Sequence, residues 1–107
     1  MGIKKDAGMI LNVLHNRTIK NRNEQTNSLE IIKESGWDSN NVINALNYLK
    51  EEGLIKVGFI SLDTVWRAIQ ITSKGINLVE QVGEFQQHFE FGVNLGVFHY
   101  NWGATER

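Results

Sequence analysis

The chain has 107 residues, a formal net charge of −1, 41% hydrophobic residues, no cysteine and no proline. A chain of this length buries a core without covalent staples and fits one domain, while the missing cysteines exclude a disulfide framework and thiolate-held metal and fit a reducing cytoplasm. No uninterrupted apolar run is long enough for a membrane helix, and residues 1–9 turn amphipathic instead of forming a signal-peptide core, so a soluble, cytoplasmic protein is expected.

Ile3, Met9, Ile10, Val13 and Leu14 mark an amphipathic first helix that ends near Asn16. The polar run 17–27 then reads as a loop or a frayed extension. Its cations, Arg17, Lys20 and Arg22, are either phosphate contacts beside a groove or a solvated loop. Asn27 followed three residues later by Glu30 is a variant of the capping box, in which each side chain satisfies a free backbone N–H. It starts a second helix through Leu29, Ile31 and Ile32 to Ser35, ended by Gly36, which adopts a left-handed conformation at low cost.

Asp38 or Ser39 caps a third helix over residues 40–52, closed by Gly53. Val42, Ala45, Leu46 and Leu49 fall on one face of it, while Asn40, Asn41, Asn44, Asn47 and Tyr48 point away. Residues 54–60 and 65–71 read as two strands joined by a turn at 61–64. Trp66 is expected to cover the core and Trp37 to pack in the turn between the second and third helices. Thr72 or Ser73 caps a further helix carrying Ile76, Val79 and Val82, with Gly75 an imperfect helix residue near its start. The spacing of Leu78, Val82, Phe85 and Phe89 extends the last helix to about Gln87 or Phe89.

The pattern from Asn27 to Gly75 resembles the winged-helix superfamily, most closely its small prokaryotic DNA-binding regulators. The residues carrying the resemblance are Val42-Ile43-Asn44-Ala45-Leu46-Asn47-Tyr48-Leu49-Lys50-Glu51-Glu52-Gly53-Leu54-Ile55 and Ile71-Thr72-Ser73-Lys74-Gly75-Ile76. An Ala-Leu-x-x-Leu core, an acidic pair, a Gly and an aliphatic pair join the recognition helix to the first wing strand in such proteins, and a Thr-x-x-Gly follows the second. The resemblance spans roughly residues 4–82. It implies an α+β fold, a winged helix-turn-helix of three core helices and a β-hairpin wing, here with a further helix and a C-terminal β-strand or hairpin.

On that reading the third helix enters the major groove. Asparagine presents an amide donor and a carbonyl acceptor, the pair that grips the adenine edge, so Asn40, Asn41, Asn44 and Asn47 form a chemically apt row for A·T-containing sites. Ser39 at the helix start and Tyr48 flank the row; Lys56 and Arg67 on the wing reach phosphates if they face outward. The near-neutral charge opposes DNA binding, but its distribution does not: residues 1–33 hold six Lys or Arg against three acids, a local +3, and residues 76–107 hold one base against four acids, a local −3.

The tail is the unusual segment. Phe89, Phe91, Val93, Leu95 and Val97 alternate with polar or small residues, after which Phe98, Tyr100 and Trp102 take the opposite parity. Residues 1–88 therefore read as the winged-helix domain and residues 89–107 as an aromatic β tail. A lone strand leaves its backbone unpaired, so the tail pairs across a homodimer or folds as a hairpin turning near residues 93–96. Crossing a bilayer would require many chains to close a barrel.

His15, His88 and His99 have no helical metal-ligand spacing, and His88 with Glu84 and Glu90 is the best remaining cluster. Neither a phosphate-cradling loop nor a nucleophile elbow occurs, so no enzyme and no cofactor is expected, and the sequence predicts no particular small-molecule ligand. Two functions remain: a homodimeric DNA-binding transcriptional regulator, or a winged helix used for protein interaction whose working surface is the aromatic tail.

Overall fold

The computed structural model describes residues 3–20 and 25–90, except the side chains of residues 19 and 20. The fold is α+β: α1 (Ile3–Lys20), α2 (Ser28–Ser35), α3 (Ser39–Glu51), β1 (Ile55–Ile60), β2 (Trp66–Ile71), α4 (Ser73–Glu80) and α5 (Val82–His88). Among the described residues no helix is long and apolar enough to cross a membrane.

The core forms where the amphipathic faces of α1 and α3 meet. Ala7, Ile10 and Leu11 from α1 and Val42, Ala45, Leu46 and Leu49 from α3 are all fully buried. The first helix does not stop at Asn16; it runs another turn to Lys20. Tertiary pairing overrides the polar local sequence there, because Arg17 forms ion pairs with Glu34 and, at 3.6 Å, Glu30, both on α2.

The second and third helices begin as their caps dictate. Asn27 Oδ1 accepts the Glu30 amide at 2.9 Å, while the Glu30 carboxylate takes the Thr26 hydroxyl instead of completing the box. Gly36, at φ 72°, donates its amide to the Ile32 carbonyl at 2.9 Å and ends α2. Asp38, not Ser39, caps α3, accepting from the Asn40 amide at 3.1 Å. At the other end of α3, Lys74 Nζ donates to the Glu52 carbonyl at 2.9 Å and the Thr72 hydroxyl to the Gly53 carbonyl at 2.8 Å. The start of α4 thus satisfies carbonyls that the end of α3 leaves open.

The strands pair antiparallel from Ile55 opposite Ile71 to Ile60 opposite Trp66. Thr26, just before α2, bridges to Ile69 and fixes the hairpin against the helices. Ile69 and Ile71 alternate inward as a strand requires, yet Trp66, three residues from Ile69, is buried as well. Ala68 is the cause: its φ of 58° lies in the left-handed region and turns the chain so that both faces reach the core. The Ser28 hydroxyl then accepts the Trp66 amide at 3.0 Å. Gly58 is the complement of this kink, since a Cβ placed there would lie 2.7 Å from the Ala68 Cβ.

Thr72 caps α4, its hydroxyl accepting the Gly75 amide at 3.1 Å. Gly75 is not merely tolerated. A Cβ at that position would collide with the Leu54 carbonyl oxygen and lie 2.7 Å from Ile71 Cγ1. The single last helix expected from the sequence is two helices, broken at Gln81 (φ −102°, ψ 87°). The break turns α5 so that Phe85 and Phe89 enter the core while Val82 stays exposed. Phe89 therefore does not open the β tail. Its ring lies 5.0 Å from Phe85 and 6.4 Å from Tyr48, fully buried within the single chain. The other tail residues, Phe91, Val93, Leu95, Val97, Phe98, Tyr100 and Trp102, lie outside the described residues.

Substitutions at the two glycines test these close approaches. Helix propensity alone favours Gly75→Ala by about 1 kcal/mol, but the steric conflict with backbone and Ile71 is expected to win and lower stability by about 1–3 kcal/mol. A urea midpoint at or above wild type contradicts this packing. Gly58→Ala should cost a similar ~1–3 kcal/mol, and adding Ala68→Gly, which removes both the obstructing Cβ and a left-handed penalty of about 1–2 kcal/mol, should recover most of it. A double variant whose stability change equals the sum of the two single-variant changes would disprove the Gly58–Ala68 complementarity.

Candidate nucleic-acid interface

Because the Val42–Ala45–Leu46–Leu49 face of α3 is committed to α1, the opposite face is outward. Ser39, Asn40, Asn41, Asn44 and Asn47 are all exposed along it. Residues 40 to 47 span about 10 Å of helix at a rise of about 1.5 Å each, comparable to about three base-pair steps. Lys50, three residues beyond Asn47, is exposed on the same helix and continues the row as a cation beside exposed Glu51. Its spacing of three residues from Asn47 is the signal in the sequence.

Tyr48 does not belong to this face. It lies three residues from Ala45, on the flank of the buried stripe, and packs toward α5. Its hydroxyl is 3.3 Å from His88 Nε2 and its ring centroid 6.2 Å from that imidazole. Burial, and next the nearby Glu52 carboxylate, push the phenol above its ordinary value. His88 also approaches Glu52 at 3.7 Å, and Lys4 pairs with Glu90 at 3.1 Å. These contacts fasten α5 to the end of α3 and tie the start of α1 to Glu90.

The cations expected at the flanks are distributed differently. Arg17 is half-buried and engaged by Glu30 and Glu34. It acts as a strut between α1 and α2, and two carboxylates face it where a phosphate was expected. The Lys20 side chain and Arg22 lie outside the described residues. On the hairpin Lys56 is exposed. Arg67 is drawn back to the turn instead, Nε donating to Ser61 Oγ at 3.2 Å and the guanidinium lying 3.6 Å from Asp63. The Asp38 cap also places a carboxylate at the N-terminus of α3, which offsets the pull of that terminus on phosphate.

The hairpin turn carries charge and apolar surface together. The Ser61 hydroxyl, then the Val65 amide, hold the Asp63 carboxyl below its ordinary value, so it is ionised near neutrality. Phe59, Ile60 and Leu62 beside it are exposed.

Elsewhere, His15 is buried between α1 and α4 with Nε2 3.2 Å from Glu80. Asp6, buried in the first turn of α1, has its carboxyl pushed up by burial. Among the described residues no three His, Asp or Glu side chains converge to hold a metal ion. A groove of about 460 Å³ is lined by Leu54, Lys74, Asn77, Leu78, Gln81, Glu84 and His88. Glu84 and His88, singled out from the sequence, do meet there, but His88 directs its ring nitrogen to Tyr48.

Comparison with known proteins finds no family model, no curated protein and no solved structure that matches this chain. The reading of the interface therefore rests on its geometry and chemistry.

The turn yields a pH test. Asp63→Asn keeps the shape and removes the charge. A carboxyl whose folded value lies below the unfolded value of about 3.9 adds stability above that value and loses it as pH falls through the folded one. The variant should melt lower than wild type at pH 7, and the gap should narrow below about pH 4. A gap that is constant from pH 7 to pH 2 would show that the Asp63 charge does not support the turn.

Proposed function

We propose that the protein is a winged-helix transcriptional regulator that binds duplex DNA as a homodimer, with α3 as the recognition helix. The observation carrying this reading is the exposed row Ser39, Asn40, Asn41, Asn44 and Asn47 on a helix capped at its start and fixed by its opposite face. Asparagine grips adenine N6 and N7 in a bidentate fashion, so the row suits A·T-containing sites in the major groove. The hairpin following α3 occupies the position of a wing. It is the lesser contact, because Arg67 is engaged by its own turn and Asp63 repels phosphate. Lys50 and Lys56, both exposed, supply phosphate attraction beside the row.

A second reading, a winged helix that binds protein, is favoured by the exposed Phe59, Ile60 and Leu62. Salt separates the two, since duplex affinity based on phosphate contacts falls steeply as salt rises.

The decisive measurement is selection of binding sites from a random duplex pool, followed by titration of the enriched site. A·T-containing sites should be enriched. Replacing Asn41 and Asn44 together by Ala should then cost about 1–3 kcal/mol per good bidentate contact and leave the melting temperature near wild type. No enrichment, or an unchanged affinity and sequence preference in the double variant, would rule out base reading by α3.

A further inference from the structure

The break at Gln81 sets α4 and α5 along the walls of a groove of about 460 Å³, a size within the range of about 300–1,000 Å³ typical of small-ligand sites. Its apolar lining is Leu54, which is buried, and Leu78, which is half-buried. Phe85 and Phe89 anchor α5 from the core side, so the groove is held open by packing.

Two opposite charges line this groove without meeting. Lys74 on α4 and Glu84 on α5 are exposed, and among the described residues neither forms an ion pair, with each other or with another group. Both are nevertheless held in place. Lys74 Nζ donates to the Glu52 carbonyl at 2.9 Å, which occupies one hydrogen of the ammonium and leaves the others. The Gln81 side-chain amide, its nitrogen turned toward Glu84, donates to Oε1 at 3.0 Å. His88 is committed to Tyr48 at 3.3 Å and Glu52 at 3.7 Å, so it walls the groove without competing for a ligand's charge.

A molecule that satisfies such a groove carries an anion and a cation close together on an apolar body. A carboxylate matches Lys74, an ammonium matches Glu84, and hydrocarbon covers Leu54 and Leu78. A simple anion would face Glu84 and a simple amine would face Lys74, each with an unfavourable like charge in the groove. We infer that the groove binds a free apolar α-amino acid, held between Lys74 and Glu84. Lys74 also touches the end of α3, but the site requires no DNA and stands whether or not α3 reads a duplex.

Titration of the isotope-labelled full chain with L-leucine, L-isoleucine, L-methionine and L-phenylalanine, followed by NMR, tests the site. At least one of them should bind with a Kd of about 1 mM or lower, with shifts centred on Lys74, Leu78 and Glu84. The matching amine without the carboxylate and the matching acid without the ammonium, which for leucine are isoamylamine and isocaproate, should each bind about tenfold more weakly or worse. Lys74→Met and Glu84→Gln should weaken the amino acid by a similar factor of about ten. Glu84→Gln keeps the shape of an exposed side chain, so it remains informative even where Lys74→Met loosens the end of α3, and melting curves show that each variant is folded. Absence of binding by all four amino acids at about 10 mM, the groove being bare or kept for another chain, overturns the proposal. An amine or an acid that binds as well as the amino acid does so too, as does binding that neither substitution weakens.

Discussion

The packing of α3 against α1 is the contact on which the rest of the molecule depends. Leu46 and Leu49 are fully buried there beside Ile10 and Leu11, and truncating one such leucine to alanine typically costs about 2–5 kcal/mol. That is a large part of the ~5–15 kcal/mol by which a small domain is stable. Because a helix has only two broad faces, the same contact fixes which side chains α3 shows to solvent. The asparagine row is outward because the leucines are inward, and its precision is inherited from the core.

Electrostatics sets the character of that surface. Arg17 and Arg67 serve the fold, one bridging α1 to α2 and the other bracing the hairpin turn. Guanidinium groups suit this work because their planar donors engage several acceptors at once. Among the described residues the exposed cations that flank α3 are lysines, a side chain that attracts phosphate as a point charge without imposing geometry. A surface of neutral amides ringed by a few lysines exerts little long-range attraction and offers hydrogen-bonding groups at short range instead.

Local signals were the legible part of the sequence. Asn27, Asp38 and Thr72 cap the helices they were expected to cap, alone or as one of two candidates, and the burial of Val42, Ala45, Leu46 and Leu49 follows their spacing. Features requiring a distant partner were not legible. The last turn of α1 exists because Glu30 and Glu34 wait on α2, Tyr48 turns inward because His88 and Phe89 approach from α5, and the break at Gln81 follows from the demand of Phe85 and Phe89 for the core. Gly75 illustrates the limit from the other side: its propensity marks it as a weak helix residue, and only the nearby Leu54 carbonyl shows why no larger residue fits.

The left-handed residue in β2 also governs how the hairpin can go wrong. Two-stranded hairpins are prone to slide, since a shifted ladder makes nearly as many hydrogen bonds as the native one. Here a slip of one residue would move the positive φ from Ala68 onto Arg67 or β-branched Ile69, and the space at Gly58 would no longer face the side chain that needs it. The kink thus acts as a registration pin. It holds the cross-strand order of an apolar hairpin during folding, when slipped and aggregation-prone isomers would otherwise compete with the native pairing.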